Sequence, residues 1–128
     1  ARFGQRRRHT RFAVDPAGLR EAPGERLADD GADVLLFSGS LNTFDQDAAV
    51  AVIERAYDAV RHRPNGAVVF NFLSDLGRPG AAEEDTGPAR RFDTLGLLGH
   101  FGGIAERVAL RQDYLRNHDA TLGLFGSA

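Results

Sequence analysis

The stretch Asp33-Val34-Leu35-Leu36-Phe37-Ser38-Gly39-Ser40-Leu41-Asn42 decides the fold. Val34 to Phe37 is unbroken apolar sequence, the pattern of a strand covered on both faces in a parallel sheet. It gives way at once to small and polar residues. Thr43 or Asp45 then caps a helix, with Asp47 in the first turn favouring the helix dipole. Ala49, Val52, Ile53, Ala56, Tyr57 and Val60 recur on one helical stripe, while Glu54, Arg55, Asp58 and Arg61 face outward. Pro64-Asn65-Gly66 ends the helix. A second buried strand, Ala67-Val68-Val69-Phe70-Asn71-Phe72-Leu73, stops at Ser74-Asp75. The whole is a strand–helix–strand unit of about forty residues, which implies a right-handed crossover between parallel strands.

Towards the N-terminus, Arg11-Phe12-Ala13-Val14-Asp15 alternates and is halted by Pro16, as a short strand ending in an acid would be. Arg2, Arg6, Arg7, Arg8 and Arg11 precede or open it without a period, which reads as an arm or a helix end, a solvated basic end being commoner than a phosphate-binding tail. Ala17 to Gly31 reads as a loop with one helical turn near Glu25 to Ala28. Towards the C-terminus, residues 76–88 are rich in Gly, Pro and acids and are expected to be a mobile loop. A helix is expected near Ala89 to Gly99, weakened by Gly96, Gly99, Gly102 and Gly103. Val108 to Tyr114 alternates, and Thr121 to Phe125 can pair with it across a loop at Leu115 to Ala120. That gives a closing antiparallel hairpin. There is no internal repeat, and residues 1–128 are expected to form a single α/β domain.

Composition narrows the function. At 128 residues the chain can bury a core, and 42% hydrophobic with 27% charged residues is ordinary for a globular domain. A net charge of −2 disfavours a nucleic-acid binder working by bulk electrostatics. Cysteine is absent, so disulfides, zinc–thiolate sites and thiol catalysis are excluded. No apolar run approaches a membrane span and no signal-peptide pattern opens the chain, so a soluble, cytoplasmic protein without membrane partners is expected. All sixteen cationic residues are Arg, which carries no functional message.

The chemistry-bearing residues cluster at strand ends. Asp15, Ser38 to Asn42 and Asn71 to Asp75 fall at one edge if the strands are parallel, where open α/β sheets bind ligands. Such residues also end strands and cap helices routinely. Gly39 permits positive φ or close approach of a ligand, and Asn42 offers donors and acceptors. Ser40 is not a hydrolase nucleophile, since Leu41-Asn42 follows it where Gly-x-Ser-x-Gly requires otherwise. Neither a P-loop nor Gly-x-Gly-x-x-Gly occurs, which removes phosphate-loop and dinucleotide oxidoreductase readings. His9, His62, His100 and His118 are scattered without metal-ligand spacing, so no metal is expected. His100, among glycines, and Asp113 are read first as surface groups and only second as bases. Asp113 could also meet His118-Asp119 across the hairpin, though a solvated turn is the simpler reading.

Three of these stretches in order, Asp33 to Asn42, Phe70-Asn71-Phe72-Leu73-Ser74, and Arg107-Val108-Ala109-Leu110-Arg111-Gln112-Asp113-Tyr114-Leu115, resemble the C-terminal part of class I S-adenosylmethionine-dependent methyltransferases. The likeness covers roughly Phe12 to Phe125. It implies a Rossmann-like sheet of seven strands whose last strand inserts antiparallel. Phe12 to Asp15 would be the third strand, Asp33 to Phe37 the fourth, Ala67 to Leu73 the fifth, and the hairpin the last two. The implied cofactor is S-adenosyl-L-methionine, with Asp15 near its adenine and Phe37, Ser38 and Gly39 beneath its methionine portion. Ser40, Asn42, Asn71 and Ser74 would face the methyl acceptor, a small molecule or other group that the sequence does not identify. Placing Asp15 at the end of the second strand fits worse, because too few residues then separate it from Asp33.

The family's first strand, its Gly-rich loop and the acid after its second strand normally precede this region and have no counterpart here. With no Met and an opening Ala1, the chain is expected to be an N-terminally incomplete piece of such an enzyme. Without a first strand, Asp33 to Phe37 would expose a hydrophobic ladder edge. The alternative function is therefore a non-catalytic interaction module that self-associates, as a homodimer, through that edge.

Overall fold

The computed structural model describes residues 33–77, 86–114 and 119–126. In chain order these form β1 (Val34–Phe37), α1 (Gln46–Val60), β2 (Ala67–Ser74), β3 (Arg91–Phe92), α2 (Thr94–Gly102), β4 (Arg107–Arg111) and β5 (Asp119–Phe125). The architecture is α/β with one mixed, open sheet in the order β1-β2-β5-β4. The first pair is parallel, as the strand–helix–strand reading requires, with Val34 opposite Ala67 and Phe37 opposite Phe70. β5 runs antiparallel to β2 on one side and to β4 on the other. The expected closing hairpin is therefore present, with β5 rather than β4 against the rest of the sheet. Leu73 pairs with both Asp119 and Arg91, so β3 lies on the opposite edge of β2 from β5 and prolongs the line of β1.

The register sorts the side chains into two faces. Leu35 and Phe37 share one with Val68, Phe70, Phe72, Ala120, Leu122 and Leu124, and all are buried. Both helices serve this face. The buried stripe of α1 is Ala49, Val52, Ile53, Ala56, Tyr57 and Val60, as its period predicts. Each fully buried large side chain contributes roughly 1.5–3 kcal/mol over an exposed one. Leu97 and Phe101 bring α2 into the same core, where the Phe101 ring meets Phe70 edge-on at 5.8 Å. The helices also touch each other, through Glu54 to His100 and through the Gln46 side chain, which accepts from the backbone N–H of Asp93 at 2.8 Å.

Several sequence expectations need correction. β1 is covered on one face only: Val34 is 54% and Leu36 66% exposed. Its apolar run therefore does not report burial on both sides. Of the four residues expected to face outward, Glu54 in α1 and Arg61 at its C-terminal cap are half-buried, one against His100 and the other over the Tyr57 ring. The helix expected from Ala89 begins only at Thr94, because Arg91–Phe92 pairs with the end of β2. It then runs through Gly96 and Gly99 to Gly102, since capping by Asp93 and burial of Thr94, Leu97 and Phe101 outweigh the glycine penalty. β4 stops at Arg111 rather than Tyr114, and β5 starts at Asp119 rather than Thr121. The arm, the strand ending at Asp15, the loop centre at 78–85 and His118 lie outside the described residues. Among the described residues, no helix is long and apolar enough to cross a membrane, and no three His, Asp or Glu side chains gather as a metal site would require.

Candidate functional site

The carboxyl ends of β1 and β2 lie side by side because the two strands are parallel. One residue past the register pair of Phe37 and Phe70, Ser38 comes opposite Asn71. The chain then turns at Gly39, whose φ of 69° lies in the left-handed region that favours glycine. Among the described residues a side chain there would meet nothing within 4 Å, so the turn presents bare backbone with open space above it. Asn71 holds the turn in place. Its Oδ1 accepts the Gly39 N–H at 2.5 Å, and its Nδ2 donates to Ser38 Oγ at 3.5 Å.

Asn42 secures the far side of the same loop. Its Oδ1 accepts the Leu73 N–H at 3.2 Å, and its backbone carbonyl accepts from Arg90 at 2.7 Å. Leu41 between them is fully buried and anchors the turn in the core, while the Phe44 N–H closes on the Leu41 carbonyl at 3.0 Å. The helix that follows is capped by Asp45, whose Oδ1 accepts the Ala48 N–H at 2.8 Å; Thr43 is not the cap.

Ser38, Gly39, Ser40, Asn42 and Asn71 are thus brought together. Three other expected residues stand differently. The Phe37 ring is buried on the helix-covered face, away from the open side on which Ser38 and Asn71 lie. Ser74 is fully buried, and its hydroxyl sits 2.6 Å from Thr94 Oγ1, donates to Gln112 Oε1 at 2.8 Å and accepts the Leu76 N–H at 3.0 Å. A hydroxyl has one proton, so with Gln112 taking it, Thr94 must be the donor to Ser74. Asp15 lies outside the described residues.

Around Ser74 is a knot that sequence reasoning missed. Arg91 Nη1 donates to the Ser74 carbonyl at 2.7 Å, Asp75 Oδ1 accepts the Thr94 N–H at 3.0 Å, and Gln112 Nε2 donates to the Leu76 carbonyl. It joins the end of β2 to β3, to the first turn of α2 and to the residue after β4. The one signal for it was the polar pair Ser74-Asp75 after an apolar strand. Nothing in the chain pattern marks Thr94 or Gln112 as its partners.

The remaining candidates are surface pairs. His100 Nε2 lies 2.5 Å from Glu54 Oε1 between the helices, and Asp113 Oδ1 accepts from Arg111 Nε at 2.6 Å. Above all by this hydrogen bond, the Arg111 guanidinium holds the Asp113 carboxyl below the usual carboxylate range against an opposing effect of desolvation, with its charge adding a smaller share. Neither pair reaches the turn at Gly39.

Chemically the cluster is neutral: a bare glycine backbone, hydroxyls of Ser38 and Ser40, and two carboxamides with one oxygen each committed to the backbone. It can bind and orient a ligand, and among the described residues of the cluster no base or cation stands beside the serine hydroxyls to activate them. No protein-family model matches the chain, and no curated protein or solved structure gives a match.

Proposed function

We propose that this chain carries the C-terminal part of a Rossmann-like, S-adenosylmethionine-dependent methyltransferase. The observation that carries the reading is the turn at Gly39, opened by positive φ and held from the neighbouring strand by Asn71. The strand order adds support, since two parallel strands followed by an inserted antiparallel β5 follow the sheet plan that the sequence resemblance implies.

The residues present fit the amino-acid portion of that cofactor. Open space above Gly39 admits close backbone approach, and Ser38 together with the second Nδ2 hydrogen of Asn71 supplies neutral donors. When bound, the cofactor supplies a methyl group already activated on a positive sulfur. The protein's task is then to align an acceptor and exclude water, which position and preset dipoles accomplish without a strong base. Ser40 and Asn42 stand on the loop that such an acceptor would meet. Asn42 is rigid because its oxygen is tied to Leu73, which leaves its Nδ2 to orient the acceptor. Ser74 lies below as support for the site.

The test is calorimetric titration of the full-length protein with S-adenosylhomocysteine, the demethylated cofactor. Saturable binding is expected, weakened at least tenfold by Asn71→Leu, which removes both of that residue's bonds to the turn. Absence of heat in the unaltered protein would overturn the reading. The alternative, a non-catalytic interaction module, stands on a separate feature, the outer edge of β1.

A further inference from the structure

The two edges of the sheet are built differently. β4 carries Arg107 and Arg111 with Glu106 just before it, the charges that keep an edge strand from pairing with other chains. β1 has no charged residue from Val34 through Phe44. The backbone direction follows from the register: Ala67 N–H bonds to the Asp33 carbonyl at 3.0 Å while Val34 stands opposite Ala67. In a parallel pair this turns the polar groups of Asp33, Leu35 and Phe37 towards β2 and those of Val34 and Leu36 outward. Val34 and Leu36 are also the residues whose side chains are exposed. Among the described residues, no strand takes up these outward groups.

We infer that this edge pairs with the same edge of a second copy of the chain, antiparallel about a two-fold axis at Leu36. This belongs to the alternative, non-catalytic reading, because in a complete methyltransferase sheet the first strand would occupy this same edge. A two-fold axis perpendicular to the sheet keeps like faces together, so it allows only pairings in which outward residues meet outward residues. Centred on Leu36, each Leu36 donates to and accepts from its mate, and Val34 does the same with Ser38 of the other copy. Side chains then meet apolar against apolar, with Leu35 beside Phe37 of the second copy. Charge agrees with this occupant: each Asp33, already near Arg63 at 3.8 Å, falls opposite an uncharged Gly39 and not opposite its own mate. A partner strand bearing charges would lose this match, and two-fold self-pairing is the commonest form of oligomer.

The chain has no cysteine, so a single introduced one reports the contact without interference. Directly opposed residues of a hydrogen-bonded antiparallel pair have Cα atoms about 5.5 Å apart, within disulfide reach. Leu36→Cys is expected to form a disulfide-linked dimer under mild oxidation, whereas Ala109→Cys on β4 stays monomeric. Sedimentation equilibrium of the unaltered chain should show a monomer–dimer equilibrium that Leu36→Lys weakens at least tenfold while amide chemical-shift dispersion is kept. The inference is overturned if the chain is monomeric at all concentrations, if both cysteine variants cross-link equally, or if Leu36→Lys leaves the dimer intact. A monomer whose β1 edge is protected from exchange would mean that another part of the same chain occupies it, and would also overturn it.

Discussion

Asp113 shows how much one contact can say when both partners are in solvent. Arg111 Nε reaches its Oδ1 at 2.6 Å, and that bond with the guanidinium charge lowers its pKa. A carboxylate whose folded pKa is depressed contributes stability above its unfolded pKa, and loses it as pH falls through the folded value. Both side chains are exposed, so the effect belongs to the titration and not to global stability. A carbon-detected NMR titration should place the Asp113 midpoint below the ordinary aspartate range, and Arg111→Gln should return it there. An unshifted midpoint in the unaltered protein would show that the pair does not persist in solution. At this scale the sequence marks Gly39 as a positive-φ turn, but it marks Asn71 only as a polar strand-end residue and not as the one that holds the turn. It misplaces Ser74, because the burial of a strand-end serine depends on partners as distant as Gln112.

Among the elements, the apolar face of α1 is the most legible: its apolar stripe is the buried stripe, residue for residue. α2 is less so. Propensity counts its glycines against it, and only the packed Leu97 and Phe101 and the Asp93 cap, which appear on folding, restore the balance. β1 misleads in the other direction, because an apolar run tells of partners without telling whether they are present. What no pattern predicts is how α1 is fixed to the sheet. The buried Tyr57 hydroxyl donates to the Phe125 carbonyl at 3.1 Å and accepts the Glu106 N–H at 3.2 Å, pinning the helix to the end of β5 and the approach to β4. Tyr57→Phe keeps the ring and leaves both backbone groups short of a partner. A loss of about 1–3 kcal/mol is expected in urea denaturation, with an unchanged dependence on denaturant. A change below a few tenths of a kcal/mol would mean that water replaces the hydroxyl without cost.

For the molecule as a whole, β2 is the organising strand. It is bonded to β1 and β3 along one edge and to β5 along the other, and its Phe70 and Phe72 rings stand at the centre of the aromatic core. Opening β2 therefore requires breaking the sheet, whereas β1 can detach by losing one ladder of four residues. Native-state hydrogen exchange reads this difference directly, since protection follows the free energy of the opening that frees each amide. The amides of Val68, Phe70 and Phe72, which point to β5, should exchange slowest. Within β1 the pattern should alternate: Leu35 and Phe37, whose amides point to β2, protected, and Val34 and Leu36, whose amides point outward, fast in dilute solution. Protection at Val34 and Leu36 that grows with protein concentration is the mark of edge pairing between copies, because only a second chain makes exchange depend on concentration. Protection there that is already complete at high dilution would place the edge inside the monomer. Fast exchange at every concentration would leave β1 as a true free edge, and uniform exchange along β1 would contradict the parallel register itself.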